Sequence, residues 1–235
     1  MVGPKTTRVA WPKTHRLVMS HFPPIDLYDD IADPRDWEAL AIAQSRTNPR
    51  IYEEIGDLSL VPVERRLTGE GASWVMAAFT HISPDRQSRF SDGTYGVYYA
   101  AKALETAFRE HTFHMGRFYA DSKLTPGWIS EVRQLIGLID ADLIDLRPPG
   151  YDDLLNPDPG SYPAPQSFAR EQKSNDKNGI VYPSQRHTGG ECIAAFFPDV
   201  VTPPKQGDHF RYHWNGDNID FLQQLTGDRP ILQIG

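Results

Sequence analysis

Between residues 104 and 118 the positions Leu104, Ala107, Phe108, His111, Met115 and Phe118 recur at spacings of three and four. That period belongs to a helix with one face on a core, and it predicts a helix over 103–119. Just before it, Arg89 to Ala101 alternates around the turn dipeptide Asp92-Gly93, so that Tyr95, Val97 and Tyr99 fall on one face of a strand. Near the start, Asp33-Pro34-Arg35-Asp36 reads as a helix opening, with a capping carboxylate and proline at the first helical position. Trp37, Leu40 and Ala41 follow at helical spacing, and Asn48-Pro49 ends the pattern. Residues 132–139, 143–146, 192–197 and 231–234 read as strands, and 219–225 reads as a helix. Segments 20–30 and 49–62 read as irregular. Prolines 148, 149, 157, 159, 163 and 165 mark 147–166 as a long loop, which is a lid, a partner contact or inert padding. No internal repeat is visible, and mixed strands and helices predict α/β or α+β rather than a bundle or sandwich.

Composition narrows the class. A chain of 235 residues fits one large domain, or one domain with an N-terminal extension. With 39% hydrophobic residues it can fill a core and is not a disordered chain. The longest apolar runs, Trp74 to Phe79 and Cys192 to Phe197, are six residues each, against roughly 20 for a membrane-spanning helix. Met1-Val2-Gly3-Pro4-Lys5 carries no apolar signal region, so the cytosol is the expected compartment. Cys192 is the one cysteine, which excludes a disulfide scaffold and a thiolate zinc cluster; its apolar surroundings predict a buried, inert thiol.

Charge bears on partners. The formal net charge is −7, and no run of Lys and Arg exceeds the pair Arg65-Arg66. That argues against a nucleic-acid surface but leaves room for a small anionic ligand held by a few arginines. No metal is expected: Glu110-His111-x-x-His114 departs from H-E-x-x-H, and His209 and His213, which can share a helix face, have no third ligand nearby. Gly69-x-Gly71 is too little for a dinucleotide fingerprint, and neither G-x-S-x-G nor a P-loop occurs.

Three segments remain: Arg66 to Ser73, Ser88 to Glu110, and Gly179 to Cys192. They contain Arg89, a tyrosine ten residues on (Tyr99), a glutamate eleven further (Glu110), then Gly179-x-x-Tyr182-x-Ser184 and Gly189-Gly190. The joint pattern resembles the RES domain, the toxin half of bacterial RES–Xre toxin–antitoxin pairs, over about residues 60–215. Many relatives carry a Gly-Gly-Arg-Trp-Asn-like string where this chain has Gln87-Ser88-Arg89-Phe90-Ser91, and often an asparagine where Cys192 stands. The chain thus resembles a sub-branch, and the acceptor of its reaction stays open.

The resemblance implies an α+β, ADP-ribosyltransferase-like fold: a mixed, split β-sheet core with flanking helices and a mostly helical N-terminal extension. Residues 1–60 would be that extension, packed on the core, and 61–235 a single catalytic domain. It implies an enzyme that cleaves the nicotinamide–ribose bond of NAD+, taken as substrate. The ADP-ribose would go to a host protein, with water or phosphate as alternatives; a non-enzymatic interaction module is the rival reading. Nicotinamide leaves as a neutral ring, so the chemistry needs a carboxylate beside the ribose more than an acid.

By resemblance Glu110 has that role, and at ~100° per residue it lies roughly 60° beyond Ala107, at the edge of the apolar stripe. Alone it would read as a solvated helix glutamate. Arg89 is the phosphate clamp and Tyr99 the ring that stacks on nicotinamide. Arg66, Arg65, Ser184 and Tyr98 are candidate substrate contacts, with the choice between Arg65 and Arg66 open and Tyr98 expected on the opposite strand face. The implied partner is an Xre-type helix-turn-helix antitoxin that covers the cleft and carries any DNA binding; no membrane is involved.

Overall fold

The computed structural model describes residues 4–29, 33–48, 50–225 and 230–234. Among these the elements run β1 (Thr6–Met19), α1 (Asp26–Asp29), α2 (Trp37–Ser45), α3 (Ile51–Ile55), α4 (Ala72–Thr80), β2 (Tyr98–Ala101), α5 (Leu104–Asp121) and β3 (Gly127–Asp145). They continue with α6 (Asp152–Leu155), α7 (Pro163–Ser174), β4 (Gly179–Pro183), β5 (Glu191–Ala195), β6 (Lys205–Trp214), β7 (Ile219–Gln224) and β8 (Pro230–Gln233). The class is α+β, as expected.

All eight strands form one mixed sheet in the order β1-β2-β5-β4-β3-β6-β7-β8. β1 also pairs with β3 from Thr6 opposite Ile144 to Met19 opposite Val132, and touches β2 at His15 opposite Ala101. Strands β1, β2, β5, β4 and β3 therefore close into a ring, while β6, β7 and β8 extend outward from β3. The β3–β4 contact is parallel and the remaining pairings are antiparallel.

The N-terminal region is more than a helical extension. It contributes α1, α2 and α3, but it opens with a 14-residue strand laid along the core sheet. Val9 and Trp11 of β1 are buried, and between Trp11 and Thr14 the strand spends one residue more than β3 does. Such a bulge changes the parity of the alternation, which hides the strand in the sequence.

Several expectations are corrected. The two strands read at 132–139 and 143–146 are parts of one 19-residue strand. The polar interruption at Asp140 and Asp142 is its outward face, where both carboxylates meet Arg8 at 2.7 and 3.9 Å. Residues 219–225 are strand β7, not helix: one step on β6 spans two on β7, so Ile219 and Leu222 both turn inward at a helical spacing of three. His209 and His213 accordingly sit on strand β6. Tyr95 and Val97 precede β2 in an irregular turn locked by Tyr95 Oη donating to Phe90 O at 2.7 Å. In α5 the buried aromatic near the C-terminus is Tyr119, with Phe118 exposed. Segments 20–30 and 49–62 contain α1 and α3. The proline stretch holds α6 and the start of α7, whose first turn carries Pro163 and Pro165, positions where a missing N–H costs nothing. α2 begins at Trp37, three residues after the expected start at Pro34: Asp33 to Asp36 form a turn, and Asp36 is the N-cap without a side-chain hydrogen bond; Pro49 lies outside the described residues.

Candidate active-site cleft

One face of α5, the facing ends of β1 and β2 and the proline-rich segment enclose a cleft of about 920 Å³. Glu110 enters it from α5. Its Oε1 accepts a hydrogen bond from Ser184 Oγ at 2.6 Å and from the Gln185 N–H at 3.3 Å. The Ser184 hydroxyl in turn accepts the N–H groups of Arg186 and His187 at 3.1 and 3.0 Å. The loop that carries Ser184 closes on itself through Ser184 N–H to Gly190 O and Gly190 N–H to His187 O. The Gly-Gly pair is what lets it approach: Gly189 has φ +80°, and a methyl on Gly190 would stand 2.7 Å from Thr106 Oγ1, one turn before Glu110 on α5. An L side chain is disfavoured at both for these reasons.

Arg89 enters from the turn before β2. Phe90, fully buried, packs edge-on against Tyr182 at 5.2 Å and anchors this turn, while Gln166 of α7 donates to Ser88 O at 3.0 Å. The Arg89 Nη1 donates to Asn156 O at 2.6 Å, and its guanidinium lies 5.2 Å from the Tyr162 ring. The Tyr99 hydroxyl meets Ser88 Oγ at 2.8 Å and accepts the Phe90 N–H at 3.0 Å, so this ring is a fixed wall. Burial pushes its phenol up to about 12, and it stays protonated at neutral pH.

Of the residues singled out in the sequence, Glu110, Arg89 and Tyr99 thus line one cleft. Ser184 does not line the cleft, and its hydroxyl donates to the Glu110 carboxylate. Tyr98 points away, as expected, and is buried under the Arg16 guanidinium at 4.7 Å. Arg65 and Arg66 do not line the cleft. Arg65 pairs with Asp199 at 2.8 Å and Asp176 at 3.3 Å. Arg66 is sealed beneath α2, bonded to Glu38 at 2.7 Å and to the carbonyls of Leu58, Val61 and Pro34.

The sequence reading missed part of the lining. His114 and Arg117 follow Glu110 at i+4 and i+7, so all three share one helix face, a polar stripe that periodicity makes visible. Arg186 comes from the Ser184 loop; its guanidinium stacks 3.4 Å from the Phe113 ring and donates to Pro157 O at 2.6 Å. Arg16 comes from β1 and donates Nη1 to Tyr99 O at 2.9 Å. The cleft therefore holds four arginines against two carboxylates, Asp85 and Glu110, inside a chain of net charge −7. Among the described residues none of these four has a carboxylate within 4 Å.

Burial, Arg16 and His114 push the His111 imidazole down to about 3, so it is neutral; its Nδ1 sits 2.9 Å from the Tyr212 hydroxyl. Cys192 is buried, and burial with Glu110 nearby pushes its thiol up, which fits an inert packing residue. Among the described residues no three His, Cys, Asp or Glu side chains gather as a metal site, and no helix is long and apolar enough to cross a membrane. A carboxylate fixed in a cation-lined cleft can stabilise a developing positive charge on an anionic substrate.

A family model described as the RES domain matches residues 63–215. An uncharacterized protein of Sinorhizobium fredii, y4oC, is 26% identical over 213 residues, which cover 88% of this chain and 85% of that one. A chain in the crystal structure of the M. tuberculosis MbcT–MbcA toxin–antitoxin complex aligns with a TM-score of 0.43 at 9% identity, covering 90% of this chain and 87% of that chain.

Proposed function

The chain belongs to the RES domain family, and from that premise we propose that it is the toxin of a type II toxin–antitoxin pair that cleaves the nicotinamide–ribose bond of NAD+ and passes ADP-ribose to a host protein. The observation that carries this reading is Glu110, fixed by Ser184 and Gln185 N–H, among arginines with no carboxylate within 4 Å among the described residues. Guanidinium groups match phosphate oxygens and keep their charge at any physiological pH. Arg89 and Arg186 take the pyrophosphate of the dinucleotide, which brings the nicotinamide-bearing ribose to Glu110.

The chemistry then balances without a metal. The C1′–N bond breaks with both electrons leaving on the ring nitrogen, and nicotinamide departs neutral. The positive charge left on the ribose is stabilised by Glu110, whose Oε2 has no hydrogen bond among the described residues. An acceptor oxygen or nitrogen forms the new bond to C1′ and gives up a proton, for which Glu110 is the nearest base. Tyr99 serves as a rigid aromatic wall against which the nicotinamide ring stacks.

A second reading has water or inorganic phosphate as the acceptor. Arg117, which makes no hydrogen bond among the described residues, favours it, since a spare guanidinium attracts a free oxyanion. In either case loss of NAD+ would harm the host, so a cognate antitoxin, of Xre type with a helix-turn-helix, covers the cleft. The net charge of −7 leaves DNA binding to that partner. Both reaction and partner are placed in the cytoplasm, where NAD+ is abundant.

The test is nicotinamide release from NAD+ labelled in its adenylate half, in buffer, with phosphate, and with cell lysate. Nicotinamide release together with label on a lysate protein is expected. Full-rate release without protein label would move the acceptor to water or phosphate, and no release in any arm would overturn NAD+ cleavage.

A further inference from the structure

We propose that residues 151–162 form an autoinhibitory strap, which holds Arg89 and Arg186 through its backbone carbonyls and is displaced when an anion takes those two arginines. Arg89 Nη1 donates to Asn156 O at 2.6 Å and to Leu154 O at 3.4 Å, and Arg186 Nη2 donates to Pro157 O at 2.6 Å. The two short contacts fall on consecutive carbonyls of one segment, although the arginines come from separate elements. The strap thus offers two neighbouring oxygens to two guanidiniums, as a pyrophosphate would. Pro159, Gly160 and Tyr162 line the cleft, and the Tyr162 ring lies 5.2 Å from the Arg89 guanidinium, so Arg89 is only 8% exposed although it lines the same cleft.

The strap is weakly held by the core. No residue between 151 and 162 is fully buried. Its shape comes from its own turns: Asn156 Oδ1 accepts the Asp158 N–H at 2.9 Å, and Asp158 Oδ1 accepts the Gly160 N–H at 2.9 Å. The chain enters it through Pro148-Pro149-Gly150, where Gly150 has φ +105° and nothing lies within 4 Å of the place a Cβ would take. Behind it lies a second cavity of about 380 Å³, between Tyr151, Leu155 and Pro157 of the strap and Pro183 and Gln185 of the core, which gives it room to move. A segment with so few buried contacts opens at a small fraction of the global unfolding free energy.

Charge decides which acceptor wins. A carbonyl is a neutral acceptor, whereas a phosphate oxygen makes a charge-assisted bond to the same guanidinium, roughly twice as strong. The strap carries Asp152, Asp153 and Asp158 and no Lys or Arg, so an anion seated at Arg89 and Arg186 also repels it. Both effects favour exchange of carbonyl for phosphate. The strap lowers affinity in return, because only the molecules in which it has let go of the arginines are competent to bind. The inference rests on the reading of Arg89 and Arg186 as pyrophosphate contacts, though not on turnover.

The experiment follows amide hydrogen exchange across residues 151–162 of the wild type on titration with ADP-ribose and with inorganic pyrophosphate. It also measures the ADP-ribose affinity of Asp158→Ala and Asp158→Asn. Both probes are expected to speed exchange in the strap while exchange in the rest of the chain does not rise. Asp158→Ala removes the acceptor for the Gly160 N–H and loosens the strap. It should bind ADP-ribose about three- to tenfold more tightly than Asp158→Asn, which removes the same charge and keeps an acceptor there. Unchanged or slowed exchange in the strap when ADP-ribose binds overturns the proposal, and so does binding by Asp158→Ala no tighter than by Asp158→Asn. Faster strap exchange on binding, in a protein that releases no nicotinamide, would contradict the proposed reaction and leave the strap standing. Nicotinamide release with a strap that ignores bound ADP-ribose would do the opposite.

Discussion

Arg65 and Arg66 sit next to Asp199, Asp176 and Glu38, at 2.8, 3.3 and 2.7 Å; Arg16, Arg89, Arg117 and Arg186 line a cleft with no carboxylate that close among the described residues. The first pair has its charge neutralised by the protein and holds the N-terminal helices and the 198–200 turn against the core. The second group makes no ion pair among the described residues, and where those guanidiniums do bond the protein they use carbonyl oxygens, which orient an arginine without cancelling it. The same residue type is scaffold in one region and, in the proposed function, a phosphate contact in the other, and the difference is the counter-ion.

Three substitutions or titrations can break or sharpen that contrast. Arg66→Ala has the largest expected effect: it takes the Arg66 donors from the carbonyls of Val61 and Pro34, takes one of two donors from Leu58 O, and removes a side chain only 2% exposed. A stability loss of about 3 kcal/mol is expected by chemical denaturation, with ADP-ribose affinity of the folded fraction within about twofold. Intact stability with lost affinity would move Arg66 into the site.

Arg89→Ala should do the reverse. ADP-ribose binding, read by calorimetry, weakens by about 10- to 100-fold, while stability falls by only about 1 kcal/mol. Equal affinities for variant and wild type would remove Arg89 from the ligand site.

The smallest effect is on pH dependence. The folded His111 pKa of about 3 lies below its ordinary 6.5, so between these values the unfolded chain binds more protons. Its contribution to stability is complete above about pH 6.5 and is lost as pH falls toward 3. Relative to wild type, His111→Gln should flatten the stability profile in that window. An identical acid profile would mean that His111 is not desolvated in the cleft.

Much of the site was legible in the sequence, and the reasons for the rest are specific. Glu110 at the edge of a helical stripe read alone as a solvated residue; it was the family resemblance carried by the arginine–tyrosine–glutamate pattern that grouped it with Arg89 and Tyr99, and all three line one cleft. The role of Ser184 was not legible, because its 2.6 Å bond to Glu110 bridges 74 residues and depends on the Gly189-Gly190 loop closing on α5. Arg16 was hidden because β1 changes parity at its bulge, so residues 6–19 show no clean alternation. The same device in β7 mimicked a helix. Arg66 looked like a ligand contact because a motif position does not show which acid lies across the fold, and here that acid is Glu38 of α2.

Nicotinamide release from NAD+ by the wild type and by Glu110→Gln tests the central claim most directly. The amide keeps an oxygen for Ser184 and removes the charge. Release by the wild type is expected, with a fall of on the order of 100- to 1,000-fold in the variant at unchanged melting temperature and ADP-ribose affinity. Equal rates for the two proteins, or no release from the wild type, would contradict it.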